Sequence, residues 1–190
     1  SVSIHFLRRE QPDILKLLLL AAIVSLFVAG TAIVGFPYLV RTVLGLSAEY
    51  YGAAESAMGV ASIIGSLCVA VLAGRLRLRR LSLVFTAFGI CLIPCGLCFL
   101  IPTGSMTRYI VLLIMFCACQ LGCSFFSTCA ISVIQMRTPE NLMGKVMSCV
   151  FTLSMCAQPL GQIVYGALFD YFADRVYWVL IPSGLVVCLI

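Results

Sequence analysis

The sequence predicts an all-α membrane protein whose six transmembrane helices form two inverted three-helix repeats. Hydrophobic residues make up 63% of the 190 residues and charged residues only 10%, whereas a soluble domain carries about 25% charged residues. The apolar residues fall into blocks about as long as a membrane span, and these blocks recur at a fixed offset. The composition excludes a large soluble domain, and the 12 scattered basic residues do not form a nucleic-acid-binding surface.

Six apolar blocks delimit the predicted helices. They cover residues 15–40, 50–74, 81–101, 109–135, 146–169 and 177 onward. Helices are expected because lipid offers no partner for exposed backbone groups, and the short alternating segments of a β-barrel do not occur in the sequence. The sixth block contains 14 residues, fewer than a span requires. We therefore expect a bundle over 15–190 with a truncated last helix, after a cytoplasmic lead-in over 1–14 from an inter-domain linker.

Basic residues are unevenly distributed between the two sides of the predicted membrane. Nine of them lie on the side of the N-terminus and three on the other side. The nine are Arg8, Arg9, Lys16, Arg75, Arg77, Arg79, Arg80, Arg137 and Lys145. Because cytoplasmic loops carry the excess of Lys and Arg, the sequence predicts a multi-pass protein of the cell (plasma or inner) membrane with both termini in the cytoplasm.

A shift of the sequence by 96 residues lays the first three blocks on the last three. At this offset Gly65 meets Gly161 and Leu72 meets Leu168. Three helices per repeat is an odd number, so the two copies cross the membrane in opposite directions, which is the inverted-repeat plan of many secondary transporters. The alternative explanation is that generic helix spacing produces these few identities.

Polar residues form a stripe along the fourth predicted helix and a broad polar face on the fifth. The residues on the fourth are Gln120, Ser124, Ser127, Thr128, Ser132 and Gln135. In hydrocarbon such groups need partners, so the stripe either bonds to neighbouring helices or faces an aqueous cavity. On the fifth helix Gln158 and Gln162 are one turn apart beside Pro159, which predicts a kink that serves packing or acts as a hinge.

Glu55 is the only acidic residue well inside an apolar block. An ionised carboxylate is costly there, which favours a protonated form that releases its proton when a cation or water arrives. Glu55 is therefore the candidate for proton coupling, and the alternatives are a hydrated carboxylate near the interface or one held by a structural partner. Glu55 shares one face of its helix with Gly52, Gly59, Ser62 and Ser66. This small-residue face, continued by Gly65 and Gly74, would let another helix approach closely.

The 11 cysteines all lie inside predicted spans, and the single histidine, His5, lies in the lead-in. Free, small apolar side chains are the better interpretation of these cysteines. We predict no metal site and no cofactor, because Cys95 and Cys98 lack a second pair at zinc-ribbon spacing. No HExxH or GxSxG motif occurs, so the chain is not expected to be an enzyme and no catalytic residue is predicted.

The loop over 137–145 has the signals of a short interfacial helix. Thr138 is a favourable N-cap residue, and Pro139 is favourable at the first helical position. Glu140 complements the positive end of the helix dipole, and Gly144 is typical of a helix C-terminus. Such a helix would brace a cytoplasmic gate, with Arg137, Glu140 and Lys145 as gate residues. Arg75 and Arg79, between the second and third helices, either contact the gate or attract anionic lipid.

Several stretches of the chain carry recognisable motifs. They are residues 36–46 with the glycine-rich helix 59–74, residues 135–148 with Thr-Pro-Glu and Gly-Lys-Val, Gln-Pro-Leu-Gly at 158–161 and Gly-Ala-Leu-Phe-Asp at 166–170. In their order and spacing these stretches resemble the major facilitator superfamily, specifically the C-terminal half of a drug-efflux transporter of the group that includes macrolide exporters. The chain departs from the family pattern at Met143 and Lys145, where the family usually has arginines, and in the Arg75–Arg80 loop, which lacks an Asp.

The resemblance implies half of a major facilitator fold, with the first and fourth helices lining a central cavity and the fifth flanking it. The predicted cavity residues are Phe27, Thr31, Phe36, Gln120, Ser124, Ser127, Gln158 and Gln162. The implied function is proton-coupled efflux of small amphipathic compounds by alternating access, as in multidrug antiporters. The expected partners are the N-terminal six-helix half, the lipid bilayer and the substrate, with a homodimer of the isolated half as a further hypothesis. A channel or a non-transporting membrane scaffold is the alternative.

Overall fold

The computed structural model describes residues 19–23, 25–27, 29–72, 90–101 and 104–189. The helices are α1 (Leu19–Val43), α2 (Ala48–Leu72), α3 (residues 90–97), α4 (Ser105–Arg137), α5 (Glu140–Tyr171) and α6 (Tyr177–Leu189), with a 3₁₀ turn at Ala173–Arg175. Within the described residues, four helices are long and apolar enough to cross a membrane, namely α1, α2, α4 and α5. The predicted lead-in and the Arg75–Arg80 loop lie outside the described residues, and the six-span arrangement stays a prediction.

The second half of α1 is wound as a π-helix, and a glycine turn ends it. The π-helical segments are Ala29–Gly35 and Tyr38–Val43. Gly45 then adopts a φ of +66°, a left-handed conformation that costs glycine little. The amide of Leu46 donates to the carbonyl of Val40 at 3.1 Å, one residue further back than the acceptor in the Schellman motif of an α-helix. This turn leads directly into α2.

Two pairs of helices pack closely at glycines. A Cβ added at Gly65 of α2 would lie 2.4 Å from the carbonyl oxygen of Leu121 on α4, and one added at Gly161 of α5 would lie 2.1 Å from that of Leu26 on α1. The prediction that Gly65 permits a close approach is confirmed. In each pair, residues later in one helix contact residues later in the other. Therefore α2 runs parallel to α4, and α5 runs parallel to α1.

Buried side chains form two apolar clusters. One surrounds the end of α4 and the beginning of α5 and includes Ile134, Val146 and Val150. The other surrounds the π-helical part of α1 and includes Phe36, Phe116 and Phe169. Phe36 is fully buried, and its ring centroid lies 4.8 Å from that of Phe116. The two clusters fix the positions of the helices on both sides of the site described below.

The interfacial helix predicted over 137–145 does not exist as a separate element. Thr138 ends α4 instead of starting a new helix, because its hydroxyl donates to the carbonyl of Ile134 at 2.6 Å. Pro139 takes the N-cap position of α5, which continues past Gly144 to Tyr171. The prediction that Gly144 ends a helix is therefore wrong. A continuous helix keeps the backbone hydrogen bonds satisfied in lipid, and this outweighs the helix-breaking tendency of one glycine.

Candidate functional site

A cavity of about 340 Å³ lies between α1, α4 and α5. Its apolar wall includes Ile33, Phe126, Ile131, Ile134 and Phe151. Its polar wall consists of Ser25, Gln120, Ser124, Ser127, Ser154 and Gln158. Binding sites for small organic molecules have this size and this combination of many apolar groups with a few polar ones. The cavity is therefore the candidate functional site.

The polar stripe of α4 both bonds to a neighbouring helix and faces the cavity. Ser124 and Ser62 of α2 are hydrogen-bonded through their hydroxyls, and the hydroxyl of Thr128 lies 3.5 Å from that of Ser66. Gln120 and Ser127 instead line the cavity, together with Ser124. One side of the stripe thus joins α4 to α2, and the other side faces the cavity.

On α5 the structure brings only one of the two predicted glutamines to the cavity. Gln158 lines it, together with Ser154 one turn earlier, whereas Gln162 does not. The helix continues through Pro159, and Gly161 rests on the backbone of α1 at Leu26. Close packing at Gly161 fixes which face of α5 turns towards the cavity.

The three residues predicted on α1 do not line the cavity, and two of them, Thr31 and Phe36, are buried in the packed interior. The hydroxyl of Thr31 donates to the carbonyl of Phe27 at 2.7 Å, and only 1% of Thr31 is exposed. The ring of Phe27 contacts Tyr165 edge-on, at a centroid distance of 6.2 Å. Phe36 packs against Tyr51 and Phe116. Here α1 contributes Ser25 and Ile33 to the cavity instead.

Ser25 and Ser154 are cavity residues that the polar pattern alone did not single out. The Ser25 hydroxyl donates to the carbonyl of Ala21 at 2.9 Å, so its oxygen remains able to accept a hydrogen bond. In sequence Ser154 precedes Gln158 by four residues, the spacing that places two side chains on one helix face. That spacing was the available signal for Ser154. Ser25 is marked only by being the one hydroxyl within the apolar run 17–30.

Glu55 lies on the exposed surface of α2, in its second turn. The hydroxyl of Tyr51 donates to a Glu55 carboxylate oxygen at 2.9 Å. Gly52 and Gly59, on either side of it, have no neighbour within 4 Å of an added Cβ. Of the predicted small-residue face, Ser62 and Ser66 contact α4, while the part around Glu55 is open. Glu55 therefore has the structural partner that one of the alternatives foresaw, and it is separate from the cavity.

The predicted gate residues that the structure describes lie at the junction of α4 and α5. Arg137 ends α4 and Glu140 begins α5, with Lys145 in the second turn of α5, and all three are exposed. Arg75 and Arg79 lie outside the described residues. The ten cysteines whose side chains are described are free thiols. Across the described ranges, no group of three or more His, Cys, Asp or Glu residues is arranged to hold a metal ion.

Comparison with models of protein families relates nearly the whole chain to one family. The match covers residues 9–190 and the family is the Major Facilitator Superfamily. The chain belongs to this superfamily. A comparison with curated proteins and with solved structures gives no match. The four apolar helices of membrane-spanning length agree with an integral membrane protein of the Major Facilitator Superfamily.

Major Facilitator Superfamily proteins are transporters, so the predicted role in membrane transport is confirmed at that level. Their substrate sites lie near the membrane midplane, between helices of different repeats. The cavity described above is bounded by α1 together with α4 and α5, and these helices belong to different predicted repeats.

Proposed function

We propose that the chain is the C-terminal half of a secondary active transporter that exports small amphipathic compounds in exchange for protons. The observation that carries this proposal is the mixed wall of the cavity. Gln120 and Gln158 offer hydrogen bonds from two helices, while Phe126 and Phe151 offer adaptable apolar surface. An amphipathic molecule needs both kinds of contact at once. The drug-efflux and macrolide-exporter resemblance supports the direction of transport.

The glycine contacts support two inverted three-helix repeats. At the 96-residue offset Gly65 corresponds to Gly161. The contact partners, Leu121 on α4 and Leu26 on α1, correspond to within one residue at that offset. A symmetric exchange of partners, in which α2 packs on α4 and α5 packs on α1, is what a pseudo-two-fold axis in the membrane plane produces. In this scheme the half-transporter rocks as one unit during alternating access.

Glu55 is the proposed proton carrier. It lies on the open face of α2, where the Tyr51 hydroxyl donates a hydrogen bond to its carboxylate at 2.9 Å. Arg137, Glu140 and Lys145 are proposed to brace the cytoplasmic gate from the junction of α4 and α5.

The proposed partner is an N-terminal six-helix half, with the complex in the cell membrane and both termini of this chain in the cytoplasm. The excess of basic residues on that side supports the orientation. The chain alone provides only one wall of a central pathway, so we expect it to carry out no transport. We expect isolated copies to pair through the cavity face, and a monomer in both detergent and lipid would reject this pairing.

The test is efflux of Nile red, an uncharged amphipathic dye, from cells that express the full transporter containing this chain. Replacing both Gln120 and Gln158 by Leu removes two cavity hydrogen-bonding groups, and we expect at least a roughly tenfold slower efflux. Gln135→Leu is the matched control, because Gln135 is an exposed glutamine of α4 that does not line the cavity. Equal efflux by the double variant and the control, at equal expression, would contradict the assignment of the cavity.

A further inference from the structure

We propose that the cavity selects uncharged ligands that combine an aromatic or aliphatic face with one edge of hydrogen-bond donors and acceptors, such as a carboxamide. This inference rests on the proposed function only in taking the cavity as the substrate site. It adds the charge of the ligand and the chemistry of its polar edge. The observations that carry it are the residue types of the cavity wall and their arrangement.

Among the residues that the structure describes, the polar part of the wall is built from four hydroxyls and two carboxamides. The 15 described residues that line the cavity all have side chains that are neutral at pH 7. A neutral dipole replaces water well around another neutral polar group. It replaces water poorly around a full charge, for which burial is expensive unless an opposite charge is nearby. A wall of this composition therefore favours a neutral guest over its charged isostere.

The two carboxamides determine the shape of the polar edge. Gln120 on α4 and Gln158 on α5 line the same cavity, and each carboxamide offers both a donor and an acceptor. A ligand carboxamide presents the complementary pair along one edge. The hydroxyls of Ser25 and Ser124 already form hydrogen bonds within the protein, whereas each glutamine brings both a donor and an acceptor to the polar edge.

The apolar wall determines the rest of the ligand. Phe126 on α4 and Phe151 on α5 belong to the same lining, with Ile131 and Ile134 beside them. Aromatic rings contact other rings favourably in stacked or edge-on arrangements. An aryl carboxamide has one face for these rings and one edge for the glutamines. We take this chemical class as the ligand to be tested.

The test uses three probes of the same shape and different charge, with the full transporter that contains this chain in lipid nanodiscs. They are 2-naphthamide, which is neutral, 2-naphthamidinium, which is a cation, and 2-naphthoate, which is an anion. Binding is measured by equilibrium dialysis and corrected with empty nanodiscs. We expect 2-naphthamide to bind at least about tenfold more tightly than either ion. Gln158→Leu should weaken that binding at least about fivefold, and the control Gln135→Leu should leave it unchanged.

A charge introduced into the wall tests the same idea in the other direction. Gln158→Glu places a carboxylate in the cavity, so the 2-naphthamidinium cation should bind more tightly to this variant than to the parent chain. Protection of thiols from alkylation locates the bound probe. Cys123 lines the cavity, whereas Cys156 is exposed on α5 and does not. Bound 2-naphthamide should therefore slow alkylation of Cys123 and leave Cys156 unaffected.

Three results would overturn the inference. These are binding of either ion as tight as that of 2-naphthamide, no binding of any of the three probes above empty nanodiscs, and no protection of Cys123 by bound 2-naphthamide. Failure of the proposed function would have a different signature, because that function is measured by efflux. Glutamine-dependent efflux of a charged dye would support the transport assignment and reject selection for neutral ligands.

Discussion

The close contact between α5 and α1 gives the sharpest prediction for stability. In the variant Gly161→Ala the new Cβ would lie 2.1 Å from the carbonyl oxygen of Leu26 and 2.9 Å from its carbonyl carbon. Non-bonded carbon atoms attract best at about 3.5–4.0 Å, and both atoms belong to the backbone, which cannot rotate away. Relief thus requires α1 and α5 to separate by about 1 Å. Overpacking of this kind costs about 1–3 kcal/mol.

Part of this cost is offset, because Ala within a helix is more stable than Gly by about 0.5–1 kcal/mol. We therefore expect the free energy of unfolding to fall by about 1–2 kcal/mol for Gly161→Ala. The assay is reversible unfolding in mixed micelles, followed by the fluorescence of Trp178, the single tryptophan. Gly166→Ala on the same helix is the control, because an added Cβ there has no neighbour within 4 Å.

The control should be neutral or slightly stabilising, by about 0.5 kcal/mol. Gly65→Ala should resemble Gly161→Ala, because its Cβ would lie 2.4 Å from the carbonyl oxygen of Leu121. If Gly161→Ala and Gly166→Ala changed the free energy of unfolding equally, α5 would not pack on α1 at Leu26. The support from packing for the repeat arrangement would then be lost.

Three further predictions concern Glu55, Tyr165 and Trp178. In the full transporter, Glu55→Gln should abolish efflux driven by a pH gradient, and unchanged efflux would remove Glu55 from the mechanism. Tyr165→Phe loses the hydroxyl that donates to Ser183 at 2.7 Å and should lower the free energy of unfolding by about 1 kcal/mol; no change would mean that water replaces this bond. Trp178 is 56% exposed at the start of α6, where tryptophan prefers the interface, so lipids brominated near the headgroup should quench it more than lipids brominated at the chain ends.

The fourth helix could be predicted well from the sequence because its polar residues recur at α-helical spacing. An α-helix turns by a constant angle per residue, so Gln120, Ser124 and Ser127 share a side whatever surrounds them. The division of that side between α2 and the cavity could not be predicted in the same way. It depends on where Gly65 brings the two backbones together, and on Ser62 reaching Ser124.

The first helix shows why Thr31 and Phe36, which the family resemblance implied as cavity residues, face other helices in the structure. Their segments are π-helical or adjoin π-helical turns, and a π-helix closes its hydrogen bonds one residue later than an α-helix. Each residue then turns the chain by a smaller angle, so a face inferred from α-helical spacing moves away from its expected direction. The sequence carries no clear signal for this winding. The one sequence feature that accompanies the π-helical winding is the pair of glycines Gly30 and Gly35. The rings of Tyr165 and Phe169 pack against them.

The difference between the two helix pairs explains why the cavity lies beside α5 and not beside α2. At the 96-residue offset Ser62 aligns with Gln158 and Ser66 with Gln162. The α4 partners of these serines, Ser124 and Thr128, align with Val28 and Ala32 on α1. Hydroxyls on both helices are hydrogen-bonded where α2 meets α4, whereas the aligned residues of α1 are a valine and an alanine, whose side chains form no hydrogen bonds. Side-chain hydrogen bonds therefore join α2 to α4, while the carboxamide of Gln158 lines the cavity.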